Sequence, residues 1–194
     1  RYRGPGPGGT RKRLFGGHVA AQALMAAGRT VPGMPAHSLH AYFLRMGDAG
    51  KPIDYEVQRL RDGRSFAARS VVALQDGEAI LHAALSFHRS EAGFEHQDRM
   101  PPSPPPAACP SWEEWVAPRL AELSEEMRRQ LVRERPIELR PVDPVGSADP
   151  EPGGAEQRFW CRAAGEMSDD ELLHQCVAVY ASDHTLLGCV LRPH

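Results

Sequence analysis

Residues 52–89 read PIDYEVQRLRDGRSFAARSVVALQDGEAILHAALSFHR, three strand-like segments broken at Asp62-Gly63 and Asp76-Gly77. Tight hairpin turns demand positive φ, which glycine adopts without steric cost, so Asp-Gly between alternating segments predicts a hairpin at each break. One more strand precedes them. In HSLHAYFLR, residues 37–45, the period is two: Leu39, Ala41 and Phe43 share one face, and His40, Tyr42 and Leu44 the other. Further upstream the period is 3.6. FGGHVAAQALMAAGRTVP, residues 15–32, sets Val19, Ala20, Ala23, Leu24 and Ala27 on one helical face, small enough to approach a sheet closely, and Pro32 limits continuation. The glycine, proline and basic residues of positions 1–13 predict an irregular lead-in. The expectation is one long helix followed by a four-stranded antiparallel meander, an α+β unit.

The 194 residues are 41% hydrophobic and 25% charged, enough apolar material for a sizeable core and too much for general disorder. A net charge of −2 supplies no overall basic field for nucleic acid or an anionic membrane, so any anion site is local. No run approaches the roughly 18 apolar residues of a membrane helix, and no signal-peptide pattern opens the chain. A soluble, cytoplasmic protein is expected. Cys109, Cys161, Cys176 and Cys189 form no C-x-x-C pair and read as reduced core residues. Nine histidines are present, but neither H-E-x-x-H nor a clustered ligand set occurs, so neither a metal nor another cofactor is expected.

The prolines of MPPSPPPAACP, residues 100–110, favour an extended connector. In the helix-like segment 111–134, Ser111 and Glu114 form a capping-box signature, and Pro118 marks a kink or a later start. IELRPVDP, 137–144, and EQRFWCRA, 156–163, have strand character, as does TLLGCVLRP, 185–193. Between them MSDDELLHQCVAVYASD, 167–183, reads as a helix with Ser168 at its N-cap and Asp169, Asp170 and Glu171 at its positive end. The expected division is an N-terminal unit over 1–97, a proline-rich linker and helix over 98–135, and a second, partial copy of the first unit over 136–194.

Three places could carry chemistry. Gly16 and Gly17, before a helix, expose first-turn amides where an oxyanion or phosphate could dock; the alternative is a tight turn. His37 and His40, three apart on a strand, point to opposite faces, and a single strand histidine serves either as a base or as a hydrogen-bonded structural residue. Asp183 falls in line with the apolar stripe Leu172, Leu173, Cys176, Val177, Tyr180. Burial near a helix C-terminus would raise its pKa and its power as a proton acceptor; otherwise it is an exposed acid at a helix end or a cap for the segment after it. No G-x-S-x-G elbow or other activated nucleophile is visible.

FGGHVAAQAL, HSLHAYFLRMGD, YEVQRLRDGRSFAARSVVALQDGEAI, SFHRSEAGFEHQ and YASDHTLL together resemble the acyl-CoA thioesterase II, or TesB-like, family. The resemblance implies a tandem, or double, hotdog fold, each half a long helix wrapped by antiparallel sheet, with the second half incomplete in this sequence. It implies metal-free hydrolysis of fatty acyl-CoA to free fatty acid and CoA, and association into a homo-oligomer without nucleic acid or membrane. It identifies Asp183 with the aspartate of a water-activating trio, whose threonine or serine and glutamine it places beyond residue 194 in a longer protein. His37 matches a family histidine near the acyl-CoA site. By their position before a helix, and not by the resemblance, Gly16 and Gly17 are candidate substrate-binding residues, with the Gly17 amide a candidate oxyanion donor. His18 stands where the family usually has glutamine. The rival readings are a non-catalytic acyl-CoA-binding or scaffolding hotdog, and a hotdog dehydratase or hydratase.

Overall fold

The computed structural model describes residues 1–8, 12–132, 135–142 and 156–186. The chain divides into two compact units, one of Arg1–Phe94 with Ser168–Asp183 and one of Glu95–Met167 with His184–His194. The packing therefore does not follow sequence order: the helix at 171–182, expected with the C-terminal part, belongs to the unit built by the first 94 residues.

That first unit has a five-stranded antiparallel sheet of β1 (Tyr2–Gly4), β2 (Ala36–Phe43), β3 (Ile53–Asp62), β4 (Phe66–Gln75) and β5 (Glu78–His88), with α1 (Gly16–Gly28) on one face. Both Asp-Gly breaks are hairpins. At the second, Asp76 (φ 50°) and Gly77 (φ 84°) both take positive φ, the backbone that makes a two-residue turn match strand twist. The sheet order is β1-β3-β4-β5-β2, which corrects the meander: β2 pairs with β5, not with β3. The connection between β2 and β3 carries no tight-turn signal. It runs to the opposite side of the β3–β5 hairpins and is pinned by the buried Gln75 amide, which accepts from Asp48 N–H at 2.8 Å and donates to the Asp48 and Lys51 carbonyls. The lead-in is also not wholly irregular. Tyr2–Gly4 pairs with Ile53–Tyr55 at the sheet edge, a strand too short for periodicity to reveal and ended by Pro5.

All five predicted helix-face residues, Val19, Ala20, Ala23, Leu24 and Ala27, are buried, packed with Ile53, Tyr55, Val71, Leu81, Leu85 and Phe87 of the sheet. Tyr55, almost wholly buried, donates its hydroxyl proton to Gln22 Oε1 at 2.9 Å, and burial raises its pKa far above the ordinary phenol value. Arg69, 1% exposed, is satisfied by Thr30 Oγ1, the carbonyls of Thr30, Arg61 and Ala68, and Asp62. A buried guanidinium so completely bonded ties the end of α1 to the β3–β4 hairpin.

The helix α4 (Glu171–Ser182) lies against α1. Its N-cap is Asp170, whose carboxylate accepts from Leu172 N–H at 3.0 Å, and not Ser168, whose carbonyl instead bonds the His174 ring. Two glycines of α1 mark where the helices touch. A Cβ on Gly28 would meet Leu172 Cδ1 at 2.4 Å, and one on Gly17 would meet the Tyr180 carbonyl oxygen at 2.5 Å. Gly28 is near the start of α4 and Gly17 near its end, so the helices run antiparallel. Eleven residues separate Gly17 from Gly28 and eleven separate Leu172 from Asp183. Eleven residues are about three helical turns, so both pairs lie along single faces.

The second unit contains α2 (Trp112–Val116), α3 (Glu125–Val132) and a two-stranded antiparallel ribbon of β6 (Ile137–Pro141) and β7 (Phe159–Ala163). The Ser111–Glu114 capping box is present, and the chain changes to 3-10 helix at Ala117, just before Pro118. The proline-rich stretch is held to its own unit: Arg158 donates to the Pro102 carbonyl at 2.7 Å and the Trp160 indole to that of Pro104 at 2.9 Å. The strand expected over 185–193 lies outside the described residues except for Thr185 and Leu186.

Cys109 and Cys176 are buried as expected, whereas Cys161 is exposed; Cys189 lies outside the described residues. Desolvation, with the nearby Asp170 charge, pushes the Cys176 thiol up to about 12. Because the thiolate is the nucleophile, Cys161 is expected to react with a thiol-specific reagent at pH 8 in the native protein, and Cys176 only on unfolding. Mass mapping of labelled peptides checks this. No helix among the described residues is long and apolar enough to cross a membrane.

Candidate active site

Asp183 is the C-cap of α4, half-buried, with its carboxylate turned to the first turn of α1. Oδ2 accepts a hydrogen bond from Gly17 N–H at 2.8 Å. The antiparallel contact explains this: it brings the C-terminus of one helix to the N-terminus of the other, where unpaired amides gather partial positive charge. The amide offered by sequence to an external oxyanion is thus engaged by the protein's own carboxylate.

Gly16 makes the approach possible in a second way. A Cβ there would lie 2.8 Å from Asp183 Oδ2 and 2.8 Å from two ring atoms of Phe43. Beside it opens a pocket of about 470 Å³ lined by apolar Leu14, Val19, Phe43, Leu44, Met46, Ile80 and Leu81, with Asp183 on its wall and Arg45 as its other charged residue. Phe15 packs edge-on against Tyr180, ring centroids 5.0 Å apart, closing the junction of the helices.

Gly16, Gly17 and Asp183 are therefore brought together. His37 is not. It sits at the far end of β2 from Phe43, roughly 20 Å away at strand rise, and bonds Ser86 Oγ at 2.8 Å beside Phe66 and His88. His37 and His40 were expected on opposite faces, but a bulge between Ala36 and Ser38 adds a residue, so His37 meets Ser86 on the face that carries His40. His18 bonds the Pro5 carbonyl and the Gln22 amide, on a different side of α1 from Val19. The apolar pocket residues were missed as site residues. Their signal was the run Tyr42, Phe43, Leu44, Met46, which breaks strict alternation at the end of a strand.

A family model described as the acyl-CoA thioesterase N-terminal domain matches residues 5–88, and one described as acyl-CoA thioesterase matches residues 133–194. The chain is 38% identical over 192 residues to acyl-coenzyme A thioesterase 8 of Homo sapiens, covering 94% of this chain and 60% of that protein. The chain belongs to the TesB-like acyl-CoA thioesterase II family. It is also 37% identical over 184 residues to acyl-CoA thioesterase 2 of Haemophilus influenzae, covering 94% of this chain and 64% of that one. Among solved structures, acyl-CoA thioesterase II TesB2 of Mycobacterium marinum matches with a TM-score of 0.72 at 41% identity, over 100% of this chain and 65% of that one. A hot dog fold protein of Alicyclobacillus acidocaldarius, at TM-score 0.68 and 24% identity over 94% of this chain and 62% of its own, bears on the fold alone. The α+β architecture of α1 on an antiparallel sheet is thus the hotdog fold of the TesB-like family. The chain spans about three fifths of the length of the curated relatives it matches.

Proposed function

We propose that the full-length protein hydrolyses fatty acyl-CoA to free fatty acid and CoA, with Asp183 orienting and deprotonating the attacking water. The observation that carries this reading is a carboxylate fixed by Gly17 N–H at 2.8 Å on the wall of an otherwise apolar pocket. With Oδ2 committed to Gly17, Oδ1 is the acceptor we assign to water. The water oxygen adds to the thioester carbonyl carbon as its proton passes to Asp183. The C–S bond then breaks and the proton goes to the departing thiolate, leaving a carboxylic acid, CoA thiol and an ionised Asp183. A thiolate leaves readily, so one general base and fixed geometry can supply much of the rate. The Gly17 amide serves here as anchor of the base, and backbone donors to the oxyanion are sought elsewhere.

In this reading α4 and the β6–β7 ribbon come from the second of two tandem hotdogs, and the protein is a cytoplasmic homo-oligomer acting on soluble acyl-CoA without a cofactor. The test is thiol release from medium- and long-chain acyl-CoA by the full-length protein, alongside equilibrium binding of the same ligands. Turnover is expected; saturable binding with no thiol release would replace the hydrolase with a non-catalytic acyl-CoA-binding protein.

A further inference from the structure

At the end of β2, Tyr42, Phe43, Leu44 and Met46 are each at least half exposed. One exposed apolar residue needs no explanation, but three within four positions that line one pocket, Phe43, Leu44 and Met46, call for one. Tyr42 turns its ring to His40, centroids 4.8 Å apart, while the other three line the pocket beside Asp183.

Phe43 holds a particular place among them. It pairs with buried Leu81 across β2–β5 and so faces α1, yet it remains 57% exposed because the helix begins at Gly16, which has no side chain to cover it. The ring edge and Asp183 Oδ2 both lie 2.8 Å from the point where a Gly16 Cβ would be, so they flank the same spot. For a thioester carbonyl attacked by a water on Asp183, the apolar lining that includes this ring is the ground open to the acyl substituent. The lining fits an alkyl chain and not the phosphates of CoA, whose charges would lose water there without enough partners. Arg45 is already engaged, donating to the Ala79 carbonyl at 3.0 Å with Glu78 at 3.9 Å.

We propose that Phe43 is the acyl-specificity residue: its ring sets the width of the pocket where the acyl chain leaves the thioester carbonyl, and Leu44, Met46 and Ile80 receive the chain beyond it. This rests on the reading of Asp183 as the base.

Phe43→Ala and Phe43→Trp in the full-length protein test it, assayed with straight-chain and α-methyl-branched acyl-CoA of short to long chain. The alanine variant is expected to raise the kcat/KM ratio of branched over straight substrate by about tenfold or more, the scale on which one methylene is sorted in an apolar pocket, and the tryptophan variant to lower it. A uniform change across all substrates in both variants would overturn the proposal. Phe43→Leu, with a thermal unfolding midpoint near that of the parent, guards against a folding defect. Binding of non-hydrolysable thioether analogues of the same acyl chains separates this from the hydrolase reading. If no thioester is turned over, the assignment of Asp183 fails. The analogues then still decide the role of Phe43, since one rank order shared by parent and variants would overturn it.

Discussion

Asp183→Asn is expected to lower kcat for acyl-CoA hydrolysis by roughly 10²–10⁴-fold, the range contributed by a positioned general base. The substitution is chosen for what it leaves in place. An asparagine oxygen can still accept from Gly17 N–H, so the junction of α4 with α1 keeps its bond, while the capacity to take a proton from water is lost. Substrate affinity, read from the binding of thioether analogues, should change little, because the pocket is lined chiefly by apolar groups of other residues. A split of this kind, kcat lost and binding kept, is the mark of an interaction made in the transition state. Undiminished turnover in the variant would remove Asp183 from the base role, and the carboxylate would then be a helix-junction clamp.

Gly17→Ala should also abolish most activity, by geometry and not by chemistry. Alanine is favoured over glycine in a helix by about 1 kcal/mol, so at an open position the change would stabilise α1. Here the new methyl would sit 2.5 Å from the Tyr180 carbonyl oxygen, which is backbone and cannot turn aside, and 2.6 Å from the Phe15 ring. Overpacking of this kind costs about 1–3 kcal/mol, which exceeds or cancels the propensity gain. Relief requires the end of α4 to move off α1, and Asp183 moves with it. A displacement near 1 Å at a reacting group costs on the order of 10²-fold in rate. The expected result is a loss of kcat on that scale with an unfolding midpoint equal to or below that of the parent. Full activity would show that the helix junction does not set the position of the carboxylate.

Gly16→Ala provides the contrast. Its clashes are with the ends of two side chains, Asp183 Oδ2 and the Phe43 ring, which can rotate. It should therefore be milder for stability than Gly17→Ala, while disturbing carboxylate and acyl pocket together. The two glycines look alike in sequence, and only what each one touches separates their roles.

Residues 52–89, with the helix before them, determined much of the first unit by themselves. Asp76-Gly77 dictates a two-residue hairpin because both residues take positive φ, which glycine adopts cheaply. The Asp62-Gly63 break is also a hairpin, but a wider one, closed by Gly63 N–H on the Phe66 carbonyl and without positive φ at Gly63. The alanine-rich face of α1 shows at a 3.6-residue period. These signals are local, and local chemistry is sufficient to produce them. The pairing of β2 with β5 was not legible, since a connection of ordinary length through Gly47 and Gly50 states no direction; the Gln75 amide across the sheet pins it. The bulge at His37, which puts that residue on the face of His40, likewise depends on pairing with a strand nearly fifty residues away.

For the candidate site the division is similar. The helical stripe ending at Asp183 raised a carboxylate out of place in a core, and the motif blocks identified it with the aspartate of the TesB-like family. Sequence placed that aspartate near the negative end of its own helix. Only the tertiary structure supplied the opposite pole: α4 lies antiparallel to α1, and Gly17 N–H meets Asp183 Oδ2 across 166 positions of chain. Periodicity and turn chemistry act over a few residues and are written in the residues themselves. Which helix end faces which carboxylate, and which apolar side chains gather beside it, is decided by packing between segments far apart in the chain, where no local pattern records the partner.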